Sequence, residues 1–252
     1  MASLARLVRK SSDRAEQGVV VVEGPTLLAA ALEAGTPVTE VYVDHAKADR
    51  AAVADVLSRL APSATAWVLP EGVLDRVGDA ATSQGIIALC APPAAAWPEP
   101  ATAPFVLVLD DLAEPGNVGT LIRSAAAAGA GGVVIAGGTD PTAPKVVRSS
   151  AGAVFTVDIV RSSSSTEAVQ RLSAAGYRIV VAAVRGGEAH DTADLSGPVA
   201  LVIGNEAHGV IDQTAALADL AVTVAMAGPT ESLNAAMAGT VLCFEVLRRR
   251  SG

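Results

Sequence analysis

Residues 105–123, FVLVLDDLAEPGNVGTLIR, run from an uninterrupted apolar stretch through a polar break into a helical pattern. FVLVL does not alternate apolar with polar residues, so it predicts a strand covered on both faces, as in parallel sheets. Pro115, Gly116 and Asn117 end it, and apolar spacing predicts a helix over 118–128. Strand, loop and helix in that order form the repeating unit of α/β sheets, which bind ligands beyond the carboxyl ends of their strands. Gly116 and Gly119 do not make the GxGxxG turn, so a nucleotide-binding oxidoreductase lacks its defining feature.

Outward from this unit the pattern repeats. Apolar strands are expected at 133–136, 155–159, 179–183, 199–203 and 221–224. Helices are expected at 166–175, around 210–217 and at 234–249, with the serines of 162–165 as loop and cap. The last helix sets Met237, Val241, Phe244 and Leu247 on one face. Upstream, APPAAAWPEPATAP at 91–104 places five prolines in a stretch that can be neither helix nor central strand, and reads as a linker. Before it, strands at 19–22, 40–43, 66–69 and 86–90 alternate with helices at 26–34, 46–60 and 72–80, a smaller α/β domain.

With 252 residues, 51% hydrophobic and 17% charged, and a mean hydropathy of +0.44, the chain is neither disordered nor short of a core. No apolar run reaches the ~18 residues of a membrane span, and the first residues lack the apolar centre of a secretory signal, as expected of a cytoplasmic protein. Cys90 and Cys243 have no neighbouring ligand pair, so neither a disulfide framework nor a metal site is expected. A net charge of −8 weighs against a nucleic-acid partner. Basic residues nevertheless cluster locally: Arg6, Arg9, Lys10 and Arg14 near the start, Lys145 and Arg148 in one segment, and Arg248 to Arg250 at the end. Read locally, the terminal groups are solvated ends, and the last three complement a helix dipole.

Three strand ends carry polar residues that packing does not require: 110–123; LVIGNEAHGV at 201–210; and AGPTESLN at 227–234. Each alone is a capping signal, with Asn117 or Ser232 as the cap; Asp110 and Asp111 read as turn residues rather than metal ligands. In this order and spacing, however, they resemble the three signature motifs of the SpoU, or TrmH, family of RNA ribose 2′-O-methyltransferases, members of the SPOUT superfamily. Asn117, Gly119 and Arg123 fit the first motif, Gly204, Asn205, Glu206 and Gly209 the second, and Ser232, Leu233 and Asn234 the third. GGTDPTAPKVVRSSAG at 137–152 resembles the segment between the first two. VVVEGPTLLAAALEAG at 20–35 resembles the family's N-terminal substrate-binding domain, similar to ribosomal protein L30e. Ala143 and Ala225 depart from the common pattern at positions outside the motif residues.

The resemblance implies an L30e-like RNA-binding domain at 1–95, a linker at 96–104 and a methyltransferase domain at 105–252 with a deep trefoil knot. It implies S-adenosylmethionine as cofactor, held by Gly138, Ile203, Gly204, Val224, Met226 and Leu233, and no metal. Arg123 is the residue expected to act on the 2′-hydroxyl, with Asn117, Ser232 and Asn234 fixing its fork and the ribose, and Glu206 pairing with a basic group or holding a subunit contact. Lys145, Arg148, Arg6, Arg9 and Lys10 are the expected RNA contacts. The partners implied are RNA and a second copy of the chain, with Arg123 working beside a cofactor held by the other subunit or at its border. 23S rRNA is favoured over tRNA, an antibiotic-resistance role being one form of it. A non-catalytic L30e-type RNA-binding protein is the alternative, but it would not need the three motifs.

Overall fold

The computed structural model describes residues 2–92, 96–230 and 232–251. In chain order it has α1 (Ala2–Arg9), α2 (Ser11–Gln17), β1 (Val20–Glu23), α3 (Pro25–Glu33), β2 (Val38–Asp44), α4 (Ala51–Ser58), β3 (Thr65–Leu69), α5 (Val73–Val77) and β4 (Ile86–Cys90). There follow β5 (Phe105–Asp110), α6 (Pro115–Ala127), β6 (Gly132–Ala136), α7 (Pro144–Ser149), β7 (Ile159–Ser162) and α8 (Ser165–Ala174). The chain ends with β8 (Arg178–Ala182), β9 (Glu188–Ala189), β10 (Val199–Ile203), α9 (Asp212–Ala215), β11 (Leu220–Thr223) and α10 (Ala235–Ser251). Residues 93–95 of the proline-rich stretch lie outside the described residues.

Two compact units result, one of residues 1–94 with 140–156, the other of 95–139 with 157–252. The first has a four-stranded sheet in the order β1-β4-β2-β3, with β4 antiparallel to both neighbours and β2 parallel to β3. The N-terminal residues are not a solvated end: α1 buries Leu4, Leu7 and Val8 against Val21, Leu74, Ile87 and Leu89. The sequence partition gives 140–156 to the methyltransferase domain, whereas here that segment belongs to the first unit. Its helix α7 packs on β1 with Val146 and Val147 buried. This explains why 155–159 is not a strand. The chain passes between units at 156–157, so the run's apolar residues serve two cores: a 3-10 turn at Ala153–Phe155 precedes β7.

The second unit is the expected α/β layer structure, an all-parallel sheet in the order β7-β6-β5-β10-β8-β11-β9. β5 and β10 are buried along their whole length, as uninterrupted apolar runs require. On one face Val106, Val108, Ala200 and Val202 pack with Val169 and Leu172 of α8. α6 and α10 pack against each other at the close approach of Gly239, where a Cβ would lie 2.3 Å from Leu121 Cδ2. Both cysteines are buried, and burial pushes each thiol up to about 12. Among the described residues no helix is long and apolar enough to cross a membrane, and no cluster of three or more metal-ligating side chains occurs.

Candidate active site

β5 and β10 are parallel neighbours, Leu109 beside Ile203, although distant in sequence; the chain moves outward from them in opposite directions across the sheet. The crevice beyond their carboxyl ends is therefore the sheet's switch point, where α/β folds bind ligands. The first two motifs leave the sheet side by side there. Asn205 Nδ2 donates to the Asp111 carbonyl at 2.7 Å, and buried Asp110 accepts from the Ile211 N–H at 3.1 Å. The Asp110 carboxylate and the Asp111 backbone carbonyl thus hold the second motif's loop.

Glu206 is the hub. Its carboxylate accepts from Asn117 Nδ2 at 2.7 Å and from the N–H groups of Ala113 and Glu114 at 3.2 and 3.3 Å. Burial raises its pKa, but the hydrogen bonds from Asn117 and the backbone outweigh that and hold it below the ordinary carboxylate value. These partners all lie in the loop and first turn of the first motif, so within the chain Glu206 holds that motif's loop. Asn234 Nδ2 donates to Asn117 Oδ1 at 3.1 Å, while its own Oδ1 accepts from the N–H groups of Ala236 and Met237 at 2.9 and 3.3 Å. Asn234, not Ser232, therefore caps α10, and Glu114, not Asn117, caps α6. One hydrogen-bonded chain, Glu206–Asn117–Asn234, ties the three motifs together.

Arg123 lies outside that chain. It is exposed on α6. Six residues beyond Asn117 it stands about 9 Å farther along the helix and on another face. The expectation that Asn117, Ser232 and Asn234 fix its fork is therefore not met within one chain.

Next to this network a cavity of about 550 Å³ opens between the carboxyl ends of β8, β10 and β11 and the start of α10. Ile203, Gly204, Val224, Met226 and Leu233 line it, with Ser232 and Glu206. Gly204 could be nothing else: a Cβ there would lie 2.1 Å from both Gly209 C and Val210 N, because the 204–210 loop folds back through the Asn205–Gly209 bridge. Gly138 does not line the cavity. It follows β6, on the far side of β5 from β8 and β11, and its φ of +60 with a Cβ position 2.4 Å from the Leu112 carbonyl lets two loops cross closely. Sequence reasoning missed the 181–185 stretch, whose Ala182, Ala183, Val184 and Arg185 complete the wall. Gly186 and Gly187, a few residues past the end of β8, were the signal available.

The SpoU rRNA Methylase family matches residues 104–244. The chain belongs to the SpoU rRNA methylase family. It is 32% identical over 236 residues to the 23S rRNA (guanosine(2553)-2′-O)-methyltransferase RlmP of Bacillus subtilis, covering 93% of this chain and 90% of that one. It is 39% identical over 153 residues to the 23S rRNA (uridine(2479)-2′-O)-methyltransferase of Streptomyces viridochromogenes, covering 57% and 52%. The structure superposes on the crystal structure of the SpoU methyltransferase AviRb from S. viridochromogenes in complex with AdoMet with a TM-score of 0.90 at 30% identity, covering 100% of this chain and 97% of the other.

The cavity of this family member suits S-adenosylmethionine. Valine, leucine and methionine side chains give it apolar walls for the adenine faces and the sulfonium, which carries no hydrogen-bond donor. The backbone beside Gly204 approaches without an intervening side chain.

Among the basic residues in the first unit, Arg6 pairs with Asp13 at 3.4 Å, Arg9 reaches the Arg76 carbonyl at 3.5 Å, and Lys10 and Lys145 are exposed. Arg148 is committed to carboxylates, donating to Asp79 at 2.8 Å and standing 4.0 Å from Glu23. It is a structural cation instead of the open phosphate contact the sequence suggests.

Proposed function

We propose that this chain transfers a methyl group from S-adenosylmethionine to a ribose 2′-hydroxyl of 23S rRNA, and that it does so as a homodimer. The observation that carries the reading is the Glu206–Asn117–Asn234 chain, which joins all three family motifs at the rim of one cofactor-sized cavity. Ile203, Gly204, Val224, Met226 and Leu233 hold the cofactor. Bound S-adenosylmethionine supplies an electrophilic methyl on a sulfonium, which needs no metal to activate it.

A ribose hydroxyl is too weakly acidic to attack unaided at neutral pH, so as its oxygen takes the methyl and S-adenosylhomocysteine leaves, the hydroxyl proton passes to solvent and the protein must stabilise the developing charge on the oxygen. Arg123 serves this role. Its planar fork orients the hydroxyl and a neighbouring phosphate. Among the described residues of its own chain none is hydrogen-bonded to Arg123 at the cavity, and in this reading a second subunit completes the site. α10 supports this: Met237, Val241 and Phe244, spaced along one face, remain 57%, 37% and 45% exposed. Contiguous apolar surface of this kind marks an interface. α6, which carries Arg123, is the helix packed beside α10. The first unit reads the RNA through Arg6, Arg9, Lys10 and Lys145, local cations on a chain of net charge −8.

Incubation with methyl-labelled S-adenosylmethionine and separated rRNA and tRNA pools tests the reading. Label in 23S rRNA is expected. Label confined to tRNA replaces the substrate, and no label in either pool refutes the activity.

A further inference from the structure

The connection between two neighbouring parallel strands ordinarily lays its helix on the sheet it serves. β6 and β7 are hydrogen-bonded parallel neighbours of the second unit, yet α7, which connects them, is packed in the first unit against β1. Three devices hold it there. Arg14 is 3% exposed and donates to Asp140 Oδ2 at 2.6 Å, to Thr142 Oγ1 at 3.1 Å and to the carbonyls of Leu7 and Val8 at 2.9 and 3.3 Å. Arg148 is held by Asp79 and Glu23 as described. Gly152, at φ +90, lies so close to α3 that a Cβ would come 2.6 Å from Ala30 Cβ.

A buried ion pair is an expensive way to attach a segment, since apolar packing does so at least as well. What a guanidinium fork adds is a fixed direction, because its donors must meet several acceptors at once. Here the acceptors come from α1 and from the turn that starts α7, so the fork sets where α7 begins. Lys145 is exposed one residue after that helix's first proline.

We infer that Arg14, through Asp140 and Thr142, is a positioning residue for the RNA substrate: it sets the place of α7 and Lys145 on the first unit's surface. This rests on the first unit being the RNA reader proposed above.

The full-length protein is tested as a double-mutant cycle with Arg14→Lys, which keeps the charge but loses the fork, and Lys145→Ala. Each single variant should raise KM for rRNA by about tenfold, the loss of one hydrogen bond to a charged group. Their kcat at saturating RNA and their S-adenosylmethionine Kd by calorimetry should not change, and the double variant should be little worse than either single one. An unchanged KM in folded Arg14→Lys, or full additivity, overturns the inference; a purely structural role would lower Tm and leave KM alone. If Arg14→Lys does not fold, Asp140→Asn takes its place. Hydrogen exchange on the wild type reads the same point without any variant. Bound rRNA should protect amides 145–149, and absence of protection there overturns the inference. A wild type that methylates no RNA refutes the proposed activity instead, and the exchange experiment still decides the role of this segment.

Discussion

Gly204→Ala should damage the protein out of proportion to one added methyl group. The new Cβ would stand 2.1 Å from Gly209 C, 2.1 Å from Val210 N and 2.5 Å from Gly209 O. All three are backbone atoms, so no rotamer change relieves the overlap, and the 204–210 loop must open. Opening strains the two bonds that close it, Asn205 N–H to the Gly209 carbonyl at 3.1 Å and Gly209 N–H to the Asn205 carbonyl at 2.9 Å. Overpacking of about 1–3 kcal/mol plus one lost backbone hydrogen bond of about 1 kcal/mol gives roughly 2–4 kcal/mol. In a chain of this size that lowers Tm by about 5–15 °C. Gly209→Ala is the control: it has no neighbour within 4 Å, so it pays only for its left-handed φ of +73, about 1–2 kcal/mol. Thermal melts and calorimetric titration with S-adenosylmethionine read both effects, and Gly204→Ala should bind the cofactor at least tenfold more weakly than Gly209→Ala. Equal stabilities and equal affinities for the two variants would refute the claim that this loop's close crossing builds the cavity.

Arg123→Ala should lose methyl transfer by about a hundredfold or more while keeping S-adenosylmethionine affinity, and lysine should not rescue it, since the planar fork is lost; turnover assayed beside calorimetry decides this. Phe244→Asp should leave the fold within about 0.5 kcal/mol of wild type but yield monomers at micromolar concentration in sedimentation, with transfer lost; a fully active monomer would remove the subunit contact from the account. Burial raises the Asp140 carboxyl, but the Thr142 N–H and hydroxyl and the Arg14 guanidinium outweigh it, so its folded pKa lies below the ordinary value. Its contribution is therefore present above the unfolded pKa of about 3.9 and is lost as pH falls through the folded one. Asp140→Asn should cost about 3 kcal/mol in urea melts at pH 7, where it strands a buried guanidinium, with the difference from wild type shrinking below about pH 4. A difference that stays constant into acid would contradict the pairing.

The strands were legible because β10 and β4 are apolar throughout and β5 is apolar up to its final Asp110, and burial on both faces leaves that mark in a single sequence. The site was legible as three polar strand ends. What could not be read was which of their residues touch. Asn117 and Arg123 share a motif but point to different faces of α6, and only the fold shows that Asn117 meets Glu206 and Asn234 while Arg123 meets neither. Ser232 and Asn234 are both good capping residues two positions apart, and the helix start decides between them. The membership of 140–156 in the first unit was invisible for a physical reason: its ties are the Arg14–Asp140 and Arg148–Asp79 pairs, spanning 126 and 69 residues, and no local periodicity reports contacts of that range.

The position of the transferred methyl decides whether the chain acts on the ribose. After reaction of the wild-type protein with methyl-labelled S-adenosylmethionine and 23S rRNA, the RNA is hydrolysed with alkali, which cleaves only where a 2′-hydroxyl is free. The label is expected in an alkali-stable dinucleotide, read as a 2′-O-methylnucleoside by mass spectrometry. Label recovered on a base, in ordinary mononucleotides, would contradict it.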